Sequence, residues 1–359
     1  MPTTVYDLRS DTVTRPTPEM KRAMVEAALG DDVLGDDPTV KRLEAMIAEL
    51  AGKEKGLFFP SGTQANETAV QVLTSPGDEV LIERRAHIFN YEAAGPAVLA
   101  GVQLNPVDTA DGALRVSDLA GRVRPLDPHF ARTRLVCLEN THNGHGGRIY
   151  PIAEMEAVSR WARERGLSVH LDGARLFNAA VASGVPIARW AACADTVSMC
   201  LSKGLGAPVG TCLVGSAETI ADARRVRKRL GGGMRQAGIL AAAGIYALEH
   251  NVDRLADDHI LAKEIAAGLS VLDEIDVDVG HVETNMILVR TVSRGLTAHD
   301  LVEAVEEMGV RSFDVSPTEI RLVTHMDVPS DAVREVPRRF REALRSLPAS
   351  SARGKAGTS

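Results

Sequence analysis

Lys203 stands in Ser202-Lys203-Gly204, directly after the apolar run Thr196–Leu201, and Asp172-Gly173-Ala174-Arg175 closes an earlier apolar run. A lysine amine can hold an aldehyde as a Schiff base, and a carboxylate can keep a ring nitrogen protonated. Pyridoxal phosphate (PLP) makes both demands, because its protonated ring acts as an electron sink. Arg175, next to the carboxylate, offers a planar fork that could grip a substrate carboxylate. The plainer alternative for these residues is a surface lysine and an aspartate that caps a turn.

Ser61-Gly62-Thr63-Gln64-Ala65-Asn66 follows the apolar run Leu57–Pro60 and opens a helical pattern. Free N–H groups and the positive end of the dipole at a helix start suit a phosphate, and glycine allows close approach. Beside a Schiff-base lysine in the same sheet, Gly62 and Thr63 are expected to bind phosphate; in isolation the stretch would be an ordinary helix cap. His87, shortly after the run Val80–Ile82, could stack on a cofactor ring and act as a general base. His129 carries little signal by itself. His142 and His145 have H-x-x-H spacing, but the surrounding glycines favour a loop near the site, and no metal site is expected. The acidic stretch Asp31, Asp32, Asp36 and Asp37 reads as a turn with a helix cap. Gly231–Gly233 reads as a tight turn flanked by Lys228 and Arg235. Arg321 lies in a strand pattern between Ile320 and Leu322, so it points away from them and could be a second carboxylate anchor or a solvated side chain.

The chain has 359 residues, enough for two domains, with 45% hydrophobic and 25% charged residues and a net charge of −7. It has no basic surplus, so nucleic acid and anionic membranes are not expected partners. No apolar run approaches the roughly 18 residues that span a bilayer. The start, Met1–Asp7, lacks the features of a secretion signal. Cys137, Cys193, Cys200 and Cys212 show no C-x-x-C spacing and read as reduced, buried thiols. A cytoplasmic location is expected.

These residues must be positioned by strands and helices. Strands are expected at 56–60, 79–83, 102–106, 135–139, 168–171, 195–201 and 210–214, with intervening helices at 63–73, 152–165 and 218–230. This alternation argues for a mostly parallel sheet covered on both faces, with ligands at the carboxyl ends of its strands. Beyond about residue 250 the pattern changes to helices at 253–270, 297–308 and 330–347 with strands at 285–290 and 319–324. The expected divisions are an N-terminal arm (1–20), a large PLP-binding domain (21–252), a smaller C-terminal α+β domain (253–348) and a disordered tail (349–359).

Several long stretches carry a family likeness: Asp7-Leu-Arg-Ser-Asp-Thr-Val-Thr-Arg15, Gly30-Asp-Asp-Val-Leu-Gly-Asp-Asp-Pro38, Pro60-Ser-Gly-Thr63, Glu139-Asn-Thr-His-Asn-Gly144, Asp172-Gly-Ala-Arg-Leu-Phe-Asn178, Leu201-Ser-Lys-Gly-Leu-Gly-Ala-Pro-Val-Gly210, Gly231-Gly-Gly-Met-Arg-Gln236 and Arg321-Leu-Val-Thr-His325. In this order, over nearly the whole chain, they resemble the low-specificity L-threonine aldolase family of fold-type I PLP enzymes. The resemblance implies an α/β fold of that type and retro-aldol cleavage of L-threonine or L-allo-threonine to glycine and acetaldehyde. It implies that Lys203 carries the Schiff base, Asp172 binds the pyridine nitrogen, His87 stacks on the ring, and Gly62 and Thr63 hold the phosphate. It assigns Ser10, Arg175 and Arg321 to the substrate carboxylate, Arg175 also lying against the cofactor, and makes His129 a helper of His87. It further implies a homotetramer, a dimer of dimers, in which Lys228 and Arg235 reach a neighbouring subunit's site.

One departure is Leu34, where the family often has an aromatic residue after the valine of the acidic loop, and this bears on the shape of the side-chain pocket. It leaves open a PLP lyase for another L-β-hydroxy-α-amino acid such as phenylserine. A PLP carrier or regulator with little catalysis is a second alternative, opposed by the presence of the lysine, both arginines and both histidines. A histidine/aspartate metal hydrolase is the third, which activity insensitive to chelators would exclude.

Overall fold

The computed structural model describes residues 4–293 and 295–347; the expected tail at 349–359 lies outside them. The chain forms two compact units: one comprises the residues up to Val13 together with those from Ala256 onward, the other Thr14–Leu255.

The Thr14–Leu255 unit is built on a seven-stranded sheet in the order Lys55–Phe59, Thr211–Gly215, Thr196–Cys200, Ser168–Asp172, Arg132–Glu139, Asp78–Glu83, Gln103–Val107. Thr211–Gly215 runs antiparallel to both neighbours and every other pairing is parallel. The strand residues alternate between two apolar faces. Leu81 and Val136 join one core cluster, whereas Val80, Ile82, Leu135 and Cys137 join another on the opposite face. Because both faces are buried, these strands read as continuous apolar runs without polar alternation. All four cysteines are free and buried.

Helices cover the sheet. Pro38–Ala51 starts at Asp37, whose carboxylate accepts from the N–H groups of Thr39 and Val40, and ends at Gly52 with φ 61°. That left-handed turn suits glycine, which has no Cβ to clash. Gly62–Leu73 starts at Ser61, whose hydroxyl accepts from Gln64 N at 3.2 Å. Gly238–His250 has no counterpart among the sequence expectations. It is alanine-rich and apolar over most of its surface, so it shows no one-sided stripe to read.

In the other unit a four-stranded antiparallel sheet runs in the order Phe313–Ser316, Glu319–Val323, Met286–Thr291, Ile275–Asp276. Tyr6–Asp7 pairs in parallel with Val310–Arg311. The buried Arg339 of the helix Ala332–Ser346 ties this N-terminal strand down: Nη1 donates to the carbonyls of Thr4, Met308 and Gly309 at 2.7, 2.9 and 3.1 Å. Its guanidinium also lies over the Tyr6 ring, 4.6 Å from the centroid.

Candidate active site

In the large unit three of the parallel strands end in carboxylates. Glu83, Glu139 and Asp172 are the last residues of their strands, and Lys203 follows the strand Thr196–Cys200 by three positions (203 − 200). Asp172 is buried. Its Oδ1 accepts from Ala174 N at 3.0 Å and its Oδ2 from Asn66 Nδ2 at 2.9 Å. Burial alone would push this carboxyl up, but attraction to His87 whenever its ring is protonated, and to Lys203, outweighs it and holds the pKa below the ordinary value. Asp172 is therefore an anion set to face a positive charge.

Asn66 anchors this arrangement from the helix Gly62–Leu73. Its Oδ1 accepts from Ser198 Oγ at 2.7 Å and faces His170 Nε2 at 3.1 Å, while its Nδ2 donates to Glu92 Oε1 at 2.9 Å as well as to Asp172. Complete burial lowers the His170 pKa to about 4, so this ring is neutral. His170 Nδ1 meets Thr196 Oγ1 at 2.9 Å, which leaves Nε2 to donate to Asn66.

His87 begins the short helix His87–Asn90, and its backbone N–H donates to Glu139 Oε2 at 2.6 Å. Its ring is half-buried, with Nδ1 at 2.8 Å from Glu92 Oε1. Burial opposes charge on this ring, but the hydrogen bond to Glu92 and the charges of Asp172 and Glu139 prevail and raise its pKa. Glu67, beside Glu92, is pushed up to about 9 by burial and then by the Glu92 charge.

The Lys203 loop is held by its own carbonyls. Those of Lys203, Gly204 and Leu205 accept from Thr14 Oγ1 at 3.1 Å, Arg254 Nη1 at 3.3 Å and Asn251 Nδ2 at 2.7 Å. At the start of Gly62–Leu73, the N–H groups of Gly62 and Thr63 have no partner inside the helix. A side chain at Gly62 would crowd Cys200 Sγ at 3.0 Å, so glycine suits the close packing of this helix start on the sheet. The buried Arg175 lies just before the helix Leu176–Ser183 and donates from Nη1 to Asn143 Oδ1 at 3.4 Å. A carboxylate kept ionised, an amine whose charge acts on it and a helix start rich in free N–H groups suit the ring nitrogen, aldehyde and phosphate of PLP.

The remaining residues singled out from the sequence each sit in their own surroundings. Ser10 and Arg321 belong to the other unit, where Arg321 Nη2 donates to the Arg9 carbonyl at 3.5 Å, next to Ser10 in the chain. His129 is in an exposed turn with Nδ1 at 2.7 Å from Asp127 Oδ1, and no contact among the described residues links it to His87. Lys228 is exposed near the end of the helix Ala217–Arg229, and Arg235 pairs with Asp31 at 2.8 Å. The acidic loop is a turn in which the buried Asp32 binds the buried Arg227 at 2.7 Å. His142 and His145 flank Glu83 at 3.1 and 3.3 Å. Sequence reasoning missed Asn66, Glu67 and Glu92. The signal available for the first two was a pair of polar residues within a helix that buries every residue from Ala65 to Val70.

Comparison with known proteins places this arrangement in a class and then a family. The Leishmania major threonine aldolase structure superposes with a TM-score of 0.80 at 22% identity, covering 95% of this chain and 99% of that one. The fold is that of the fold-type I PLP enzymes. The model of the beta-eliminating lyase family matches residues 7–292. The low specificity L-threonine aldolase of Escherichia coli (strain K12) is 47% identical over 341 residues, covering 95% of this chain and 99% of the relative. The low-specificity L-threonine aldolase 1 of Arabidopsis thaliana is 43% identical over 348 residues, covering 95% and 97%. The chain belongs to the beta-eliminating lyase family, within its low-specificity L-threonine aldolase branch.

Proposed function

We propose that this protein is a carbon–carbon lyase that splits L-threonine and L-allo-threonine into glycine and acetaldehyde with PLP as cofactor. The observation that carries the reading is Asp172, a buried carboxylate held below its ordinary pKa by its charged neighbours at the end of a parallel strand. The bound cofactor supplies an electron sink for the pair left on Cα when the Cα–Cβ bond breaks.

The residues of the chain do the rest. Lys203 is the amine that would hold the cofactor aldehyde. Asp172 would keep the ring nitrogen protonated, and Gly62 and Thr63 would bind the phosphate. Arg175 binds the substrate carboxylate, with Ser10 and Arg321 assigned to the same group, and so fixes which Cα bond is broken. His87 would lie beside the ring and take the β-hydroxyl proton at Nε2, directly or through water, with His129 as its helper. Orientation and charge placement thus supply most of the barrier reduction. A homotetramer in which Lys228 and Arg235 reach a neighbouring subunit's site, and a cytoplasmic location, belong to the same reading.

Aldehyde release from L-threonine, L-allo-threonine, D-threonine and L-phenylserine tests it. The two L-threonine epimers should be cleaved, D-threonine should not, and Lys203→Ala should lose all turnover. Cleavage by Lys203→Ala at the wild-type rate overturns the assignment. Preference for phenylserine would point to a wider side-chain pocket near the exposed Leu34.

A further inference from the structure

Behind His87 lie three buried polar residues that the proposed reaction does not itself use: Asn66, Glu67 and Glu92. Their hydrogen bonds fix where the protons are. Glu92 Oε1 lies 2.9 Å from Asn66 Nδ2 and 2.8 Å from His87 Nδ1. With any proton of this carboxyl on Oε2, Oε1 only accepts, so His87 Nδ1 carries its proton. The Asn66 amide cannot be turned round, because its oxygen would then face the two carboxylates of Glu92 and Asp172. Its present orientation fills all of its capacity, with two acceptor positions used by Ser198 and His170 and two donors by Glu92 and Asp172.

Three oxygens are left over. Glu92 Oε2 and both Glu67 carboxyl oxygens are buried and receive no donor from any other described residue. Burial and then the Glu92 charge both disfavour an anion at Glu67. Two adjacent anions would leave all three oxygens unsatisfied and repelling one another. One proton between Glu67 and Glu92 Oε2 removes the repulsion and gives two of the three oxygens a partner.

We propose that Glu67 and Glu92 share a single proton and act as a positioning pair that holds His87 as the Nδ1–H tautomer, leaving Nε2 as the ring atom able to accept a proton. This rests on the lyase reading only for what Nε2 then does. The charged and titratable groups around the pair are Asp172 and His170 on one strand and Glu139 and Cys137 on the next. Lys203 lies in the loop after the strand beyond. Glu139 bonds the His87 backbone and Asp172 bonds Asn66, so neither reaches Nδ1 in place of Glu92. Asn66 has a second consequence: one amide ties the carboxylate that orients His87 to the carboxylate assigned to the cofactor ring.

The test is nitrogen-15 NMR of the histidine rings in the full-length protein, with His87 assigned by loss of its signal in His87→Gln. Wild type should show the Nδ1–H tautomer. Glu92→Gln should lose that preference and lower the His87 proton affinity by about tenfold or more. Glu67→Gln, which keeps a neutral donor, should leave the tautomer in place. Carbon-13 NMR of labelled glutamate in the unsubstituted protein should show one carboxyl that titrates far above the ordinary range, a signal absent in Glu67→Gln. In turnover, Glu92→Gln should lower kcat about ten- to hundredfold with little change in KM and should shift the pH limb of kcat. An unchanged His87 ring in Glu92→Gln, or no high-titrating glutamate in wild type, overturns the pair. Wild type that cleaves no L-threonine overturns the lyase reading instead, and the two NMR measurements still decide on the pair.

Discussion

Glu67 keeps its proton in the folded chain up to about pH 9, because burial and then the Glu92 charge disfavour its anion. In the unfolded chain the same group releases its proton near its ordinary 4.5. Between those values the folded state binds more protons than the unfolded one, so this residue makes stability fall as pH rises. Glu67→Gln should remove that slope. Urea unfolding at pH 5, 7 and 9 should show the variant gaining on wild type at each step; a constant difference would contradict a buried protonated acid. Residues of this kind are the hardest to read from a sequence. Lys203, Asp172 and His87 were legible because their chemistry admits few residue types. Asn66 and Glu67 were not, since polar residues early in a helix ordinarily mark its wet side. Here the helix is buried all round, and only the three-dimensional structure shows polar groups turned inward.

Among the elements, Gly62–Leu73 has the largest share in the candidate site, supplying Asn66, Glu67 and the N–H groups proposed to face the phosphate. Its start depends on the Ser61 hydroxyl. Ser61→Ala should cost about 1 kcal/mol of stability through loss of the cap. PLP affinity, followed by equilibrium dialysis, should weaken with it; unchanged affinity would mean that this helix start does not hold the phosphate. All seven strands of the large sheet were anticipated, the inner ones as apolar runs because strands buried on both faces favour Val, Ile and Leu; the edge strand Gln103–Val107 is only partly buried. Their ends were less visible. The strand Arg132–Glu139 begins three residues before its apolar run at Leu135 (135 − 132). Its first residues are held by side chains instead: Arg132 pairs with Asp78 at 3.0 Å, and Thr133 Oγ1 donates to Glu79 Oε1 at 3.0 Å.

For the whole molecule, Arg339 decides where the chain's beginning goes. Three backbone carbonyls and the Tyr6 ring converge on its buried guanidinium. Arg339→Ala should cost about 3 kcal/mol in lost charge-assisted bonds. Hydrogen exchange at Tyr6 and Leu8 should accelerate while the strand Ser168–Asp172 stays protected; equal acceleration in both would mean that Arg339 has a general role. Among the described residues no helix is long and apolar enough to cross a membrane. The division into units also has a temporal side. The unit that contains Tyr6 draws on both ends of the chain, whereas Thr14–Leu255 is continuous. As the chain emerges from the ribosome, the continuous unit with Lys203, Asp172 and His87 has its whole sequence available first. The residues up to Val13 must wait for Val310 and Arg339, so the segment that carries Ser10 is made first and settled last.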